Sequence, residues 1–351
     1  MLPLITPPQS ICLVRLSALG DVTHAIPVLR AIQHNWPQTR ITWICAALEH
    51  KLLSCLAGVR FIVLAKRGGW SAYWKLKQDL GGEKFDVMLQ MQTSARANVT
   101  GACVKADIKL GWDKYRARDL HRLFMTHSVP ETRQEHQVQG HLSFARTIGL
   151  DVHEPVWDFP IGEDARAFAD SMLPADNRIL VISPCSSHPY RNWRADRYAA
   201  VADYAIEYHG MTVVLSGGPS DLERSTGKAI EQAMTNRVTN LIGKDTLPQL
   251  AALLQRADIV LSPDAGPVHL ANALGTAVIG LHACTWSRRS GPYNSLDLCV
   301  DKFVEAAQKF RGKSPEELRW GTRIEAEGVM DLVETDAVID RLDLAVGRLG
   351  N

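Results

Sequence analysis

Apolar residues follow two rhythms along this chain. Short unbroken runs at Ile11–Leu16, Ile41–Cys45, Phe61–Ala65 and Phe85–Met91 suit strands buried on both faces. Between them, Val22–Asn35, Leu48–Leu56, Ser71–Leu80 and Ala95–Val104 space their apolar positions every three or four residues, which predicts amphipathic helices. Strand alternating with helix predicts a parallel sheet wound with helices on both faces. The rhythm blurs after about residue 110, and the charge-rich stretch 105–135 reads as a loop or an added helical element.

A second series opens near Arg178. Ile179–Ser183, Thr212–Leu215, Val238–Ile242, Ile259–Leu261 and Val278–His282 read as strands separated by helices. Thr246-Leu-Pro-Gln249 fits a capping box ahead of the apolar face of Leu250, Leu253 and Leu254. Ser314-Pro-Glu-Glu317 fits a second, with Pro315 at the first helical position. The segment Asp151–Asn177, with Pro155, Pro160 and Pro174, reads as a linker. A weak echo joins the two series. Residues 14–29 run strand, Ser17, Gly20, Asp21, then a helix with His24; residues 259–274 run strand, Ser262, Asp264, Gly266, then a helix with His269. The fold class is therefore α/β, with two Rossmann-like parallel-sheet halves facing a cleft.

The stretch 257–275 concentrates the chemistry. Pro267 suits a first helical position, where its missing N–H costs nothing. The open N–H groups of that helix start form an anion site over the strand's carboxyl end, flanked by Asp264 and His269. A histidine satisfied in the core is the plainer alternative. Asp21 also falls at a helix start after a strand, where it suits either a general base for a hydroxyl or an N-cap. Pro184–Trp193 offers Ser186, Ser187 and Arg191 to a phosphate, or is a solvated loop. Ser216-Gly-Gly-Pro-Ser-Asp221 is a glycine turn in which Asp221 reaches ribose hydroxyls or merely caps a helix. Lys114–Arg122, with Arg116, Arg118 and Arg122, grips an anionic acceptor or is a solvated face. Lys66–Trp74 mixes basic and aromatic residues, which suits a sugar-phosphate or lipid headgroup surface, or helix packing.

Composition narrows this further. At 351 residues the chain has room for two domains. A net charge of +1 provides no global field to recruit nucleic acid. Seven cysteines, without a C-x-x-C pair and partly inside apolar runs, read as reduced cytosolic thiols. The N-terminus lacks the basic start and apolar core of a signal peptide, and no apolar run reaches the ~20 residues of a membrane span. No G-x-G-x-x-G is present, which argues against NAD or FAD chemistry. Nor is there a Walker A lysine, a D-x-D or an H-E-x-x-H motif.

Together these motifs make the chain resemble the ADP-heptose–lipopolysaccharide heptosyltransferases of glycosyltransferase family 9. The resemblance rests on Arg15-Leu-Ser-Ala-Leu-Gly-Asp-Val-Thr-His-Ala-Ile-Pro27, Arg191-Asn-Trp193, Ser216–Asp221, Ser262–Gly275 and Ser290-Gly-Pro-Tyr293. It implies a GT-B fold, with residues 1–163 plus 330–351 as the acceptor-binding domain and 175–329 as the donor-binding domain. It also implies an inverting, metal-independent enzyme without a cofactor, moving heptose from ADP-heptose to a Kdo–lipid A acceptor. Asp21 matches the general base. Ser186, Ser187, Arg191, Asp221, Asp264, Ala265, Gly266 and His269 fall on the donor, and Ser17, Arg116, Arg118 and Arg122 on the acceptor. Three positions depart from the family pattern: Ala265 stands for Thr, Arg191 for Lys, and Asp221 for Glu. A cytoplasmic enzyme in peripheral contact with the inner membrane is expected. The alternatives are a family member adding a later heptose or another sugar, and a non-catalytic nucleotide-sugar binding protein.

Overall fold

The computed structural model describes residues 2–65 and 68–350. The chain divides into two compact units, Met1–Pro160 and Ile161–Asn351. In the first unit the order is β1 (Ser10–Val14), α1 (Leu19–Asn35), β2 (Arg40–Ala46), α2 (Ala47–Leu53), β3 (Val59–Leu64), α3 (Gly69–Leu80), β4 (Lys84–Gln90), α4 (Ala95–Cys103), β5 (Lys105–Gly111), β6 (His127–Ser128) and α5 (Gln137–Ile148). The second unit follows with α6 (Glu163–Met172), β7 (Ile179–Ile182), α7 (Ala195–His209), β8 (Thr212–Leu215), α8 (Asp221–Ala233), β9 (Thr239–Asn240) and α9 (Leu247–Arg256). It ends with β10 (Ile259–Pro263), α10 (Gly266–Ala273), β11 (Ala277–His282), α11 (Ser287–Ser290), β12 (Val300–Asp301), α12 (Phe303–Arg311) and α13 (Thr335–Leu349).

Each unit carries one six-stranded sheet, ordered β3-β2-β1-β4-β5-β6 in the first and β12-β11-β10-β7-β8-β9 in the second. All the pairings are parallel. Counted within its own unit, each sheet has the order 3-2-1-4-5-6 of a doubly wound nucleotide-binding fold. That order reverses direction between β1 and β4 and again between β7 and β10. The crevice at such a reversal, beyond the carboxyl ends of the strands, is where these folds bind ligands. The internal echo at 14–29 and 259–274 pairs two different strands, β1 and β10, but each of them borders its own unit's reversal.

The central strands are unbroken apolar runs because helices cover both faces. Every residue of β1, β7 and β10 is buried. In the first unit Cys12, Val14, Ile44 and Met88 pack with Ala97 of α4. In the second, Ile182, Leu215 and Leu261 pack with Tyr198 and Ala202 of α7. Truncating a fully buried Leu261 to alanine would cost roughly 2–5 kcal/mol. The capping box at Thr246 forms, with Gln249 Oε1 2.9 Å from the Thr246 N–H. All seven cysteines are free.

Four elements depart from the expectations. Residues 105–111, read as loop or helix, are β5, whose alternating Lys and Asp positions face water beside the two-residue strand β6. The linker stretch contains α6, which packs on α9 through Ala165 and Ala169. Ser314–Glu317 forms its capping box but only one 3-10 turn. Residues 330–351 were expected to return to the first domain, yet α13 packs on α7 in the second unit. Its apolar stripe of Val338, Leu342, Ala345 and Val346 joins the second core. The Trp193 indole N–H donates to Val333 O at 2.9 Å, and His209 pairs with Asp343 at 2.6 Å. A helical stripe says that a face is buried; only the matching surface on α7 decides where.

Candidate active site

In the first unit the loop after β1 turns directly into α1. Ala18 is the N-cap, so Asp21 is not a cap residue but the third residue of the helix. Its Oδ2 lies 3.4 Å from the Ala18 N–H and 2.6 Å from Arg15 Nη2. Arg15 is itself fixed: its Nη1 donates to Met91 O, and its side chain is 10% exposed against 34% for Asp21. Opposite, Gln92 Oε1 at the end of β4 accepts from the Leu16 N–H at 2.8 Å and the Ser17 N–H at 3.3 Å. Ser17 and Asp21 therefore share one turn, pinned across the β1/β4 reversal. The Asp21 carboxylate is thus paired with a buried guanidinium and still a third exposed.

His141 of α5 lies behind this turn. Its ring sits 5.9 Å from that of His24 and 5.3 Å, edge-on, from Trp112. Burial and the neighbouring Arg15 push its pKa down to about 3, so the ring is neutral. Arg116 does not point to an open acceptor site. It pairs with Asp113, donates to Glu135 Oε2 at 2.9 Å and Pro130 O at 3.0 Å, and lies 4.6 Å from the Trp112 ring. Its guanidinium is a structural hub held by these protein groups. Arg118 and Arg122 are exposed. Of the basic-aromatic stretch, Lys66 and Arg67 lie outside the described residues, while Trp70 and Trp74 are 77% and 71% exposed.

In the second unit β10 ends at Pro263, Asp264 follows in the turn, and α10 begins at Gly266, which places Pro267 at the second helical position rather than the first. The N-cap is Ala265, whose methyl group caps nothing. The amide donors of the first turn are thus not covered by the cap side chain, as an anion site requires. Asp264 is buried at its edge. Arg191 Nη1 donates to its backbone oxygen at 2.9 Å and lies 3.3 Å from Oδ2. His269 Nε2 is 3.5 Å from Oδ1, and Ser290 Oγ donates to Oδ2 at 3.4 Å. Burial opposes ionisation of Asp264, but the hydrogen bond to His269 and the nearby His282 and Arg191 outweigh it and hold the carboxyl well below the usual carboxylate range.

The rest of the predicted donor set divides. Ser186 is buried, with its N–H on Asn192 Oδ1 at 2.7 Å and its Oγ accepting from the His188 N–H at 3.3 Å. Ser187 is exposed in the same loop after β7. Asp221 is the exposed first residue of α8 and is not its cap; Ser220 is, accepting from the Glu223 N–H at 3.3 Å. Glu223 Oε1 in turn accepts the Gly218 N–H at 2.7 Å and closes the glycine turn. Sequence reasoning overlooked Arg15, Ser290 and His282. Arg15 and Ser290 stood inside quoted motifs without a role. His282, buried at the end of β11, carries no local signal, since only the sheet order brings it beside Asp264. Among the described residues no cluster of three or more His, Cys, Asp or Glu side chains is placed to hold a metal.

Two doubly wound units, each with polar groups gathered at its strand-order reversal, make up a GT-B fold. Consistent with this, the chain belongs to glycosyltransferase family 9, the heptosyltransferase family, whose model matches residues 73–319. It is 37% identical over 342 residues to the lipopolysaccharide core heptosyltransferase OpsX of Haemophilus influenzae, covering 97% of this chain and 98% of that protein. The fold matches the glycosyl transferase family 9 structure from Veillonella parvula with a TM-score of 0.79 at 21% identity, covering 97% of each chain. It also matches E. coli heptosyltransferase WaaC with ADP, with a TM-score of 0.74 at 20% identity, covering 96% of this chain and 99% of that one. The protein is therefore an enzyme, a family 9 glycosyltransferase.

Proposed function

We propose that this enzyme transfers heptose from ADP-heptose to the Kdo–lipid A inner core during lipopolysaccharide core assembly, with inversion and without a metal or cofactor. The observation that carries the proposal is the Arg15–Asp21 pair at the β1/β4 reversal. Asp21 removes the proton of the acceptor hydroxyl as that oxygen attacks the anomeric carbon of the donor. The new C–O bond forms as the bond to the diphosphate breaks, and ADP departs with the electron pair. Arg15 holds the Asp21 carboxylate in place.

On the donor side, the diphosphate lies against the start of α10, beside Arg191, Ser186 and Ser187. Asp264 is too deeply paired to serve as a base; it orients Arg191 and His269. The N-terminal dipole of α10 and the Arg191 charge offset the negative charge developing on ADP. Gly266 and Ala265 let the diphosphate approach the backbone, and Asp221 reaches the ribose from α8. Ser17, Arg118 and Arg122 remain on the acceptor side. The enzyme works in the cytoplasm.

Single-turnover transfer with ADP-heptose tests this on two acceptors, Kdo–lipid A and its heptosylated form. Asp21→Asn should slow transfer by about 10²–10⁴-fold while ADP titration is unchanged, and a chelator should leave the wild-type rate intact. Near-wild-type turnover by Asp21→Asn would sink the base assignment. Preference for the heptosylated acceptor would make this a later-step enzyme.

A further inference from the structure

The loop between β5 and β6 carries, between the acceptor-side Arg118 and Arg122 and just beyond them, two leucines that the transfer chemistry does not use. Leu120 and Leu123 are 72% and 77% exposed. Water-facing leucines are unremarkable singly, but Leu120 also sits in the left-handed region at φ 60°, directly after Asp119 at φ 52°. A leucine there costs on the order of 1 kcal/mol of backbone strain, which glycine or asparagine would largely avoid. The loop thus bears a cost to hold an apolar side chain outward.

Buried polar contacts enforce that conformation. The Asn98 side-chain amide of α4 donates to Asp119 O at 2.8 Å. Asn98 Oδ1 accepts from His121 Nδ1 at 2.8 Å, and His121 Nε2 accepts the Trp112 N–H at 3.0 Å. Asn98 and His121 are each 1% exposed. Gly111 makes room for the ring, since a Cβ there would stand 2.4 Å from His121 Nε2. The Asp119 carboxylate accepts the Ala95 N–H at the start of α4 at 3.0 Å while the residue stays exposed. The outer face carries Arg118, Asp119, Leu120, Arg122 and Leu123: two cations and two leucines around one carboxylate tied back to α4. The helix α3, with exposed Trp70 and Trp74 one turn apart, packs on α4 as this turn does.

We propose that the rigid turn 118–124 is a membrane-docking element that seats on an anionic bilayer surface. Leu120 and Leu123 enter the headgroup–acyl boundary while Arg118 and Arg122 meet lipid phosphates. Charge complementarity selects this occupant: the exposed face carries two cations, Arg118 and Arg122, against one carboxylate, Asp119, which is tied to the Ala95 N–H. Arginine beside leucine, with tryptophan nearby, is the composition that interfacial segments use. The turn follows β5 at the carboxyl edge of the sheet, the edge that also carries Asp21.

The test is co-sedimentation of the full chain with acceptor-free vesicles of phosphatidylglycerol and phosphatidylcholine, against phosphatidylcholine alone. The wild type should bind the anionic vesicles preferentially, and less so as salt rises. Leu120→Asn with Leu123→Ser keeps a residue that tolerates the left-handed backbone, and should weaken vesicle binding about tenfold or more. Transfer to a lipid-free acceptor analogue should be unchanged in that variant. Arg118→Ser with Arg122→Ser should weaken binding about fivefold per charge and abolish its salt dependence. Wild-type protein that ignores anionic vesicles would overturn the proposal, and so would a leucine variant that binds them like wild type. Because the vesicles contain no acceptor, a failure of the assigned transfer reaction would leave this result standing, and the reverse.

Discussion

Arg191→Met is the sharpest perturbation of the donor half-site, because it separates holding the fold from holding the ligand. The guanidinium lies 3.3 Å from Asp264 Oδ2, with side-chain exposures of 12% and 6%. At an effective dielectric of about 20, the gross attraction at that separation is about 5 kcal/mol. Removing one partner of a buried pair typically costs about 3–5 kcal/mol, because the other charge is left stranded. Here His269 lies 3.5 Å from the opposite oxygen and can take up part of the imbalance, so about 2–4 kcal/mol is expected. For a unit spanning 161–351, that is a fall in thermal midpoint of roughly 5–12 °C. If Arg191 also contacts the diphosphate, ADP should bind roughly 10–100-fold more weakly, the worth of one hydrogen bond to a charged group. Differential scanning calorimetry and an ADP titration by isothermal calorimetry read the two effects separately. A midpoint within a degree of wild type would refute the electrostatic account of Asp264. A lowered midpoint with unchanged ADP affinity would keep that account and place the diphosphate elsewhere. Arg191→Lys, which loses the planar fork, should recover most of the stability and only part of the affinity.

Two pH dependences follow. Burial pushes His121 down to about 4, below its unfolded value of 6.5, so the unfolded chain binds the extra proton between those values. The first unit should therefore lose stability as pH falls from about 6.5 to 4, by on the order of 3 kcal/mol from His121 alone, and calorimetry across that range should show it. A flat profile would mean that the ring is not buried neutral. Asp245 behaves in the opposite sense: burial raises it to about 6 from 3.8, so its penalty builds as pH rises from 3.8 to about 6. Asp245→Asn should stabilise the second unit by up to about 3 kcal/mol at pH 8 and have little effect at pH 4. Equal effects at both pH values would assign the change to packing instead.

The local rules carried far because the central strands and their helices obey them without conflict. β1, β2, β4, β7, β10 and β11 are apolar runs because both faces are covered, while α1 announces itself by periodicity and α9 by periodicity and capping. β5 escaped the same reading because its outward faces meet water. Its Lys105, Asp107 and Lys109 make an edge-like alternation that resembles a charged loop. α6 was hidden by the prolines around it. Asp21, Arg191, Asp264 and His269 were legible as candidates because each sits in a strand–turn–helix motif that has one backbone geometry.

Sequence by itself thus determined the two α/β halves, the strand–turn–helix sites and the family, since all of these are written in residues close together along the chain. Tertiary structure alone decided which side chains those sites actually control. It coupled Arg191 to Asp264 across 73 residues, brought Ser290 and His282 to the same carboxylate, engaged Arg116 in a structural network, and docked α13 on α7. It also left Leu120 and Leu123 in water while burying Asn98 and His121 beneath them. Each of these outcomes depends on the order of strands in a sheet and on the shape of a facing surface. Neither is encoded in any local window of residues, because both arise only when distant segments compete for the same core.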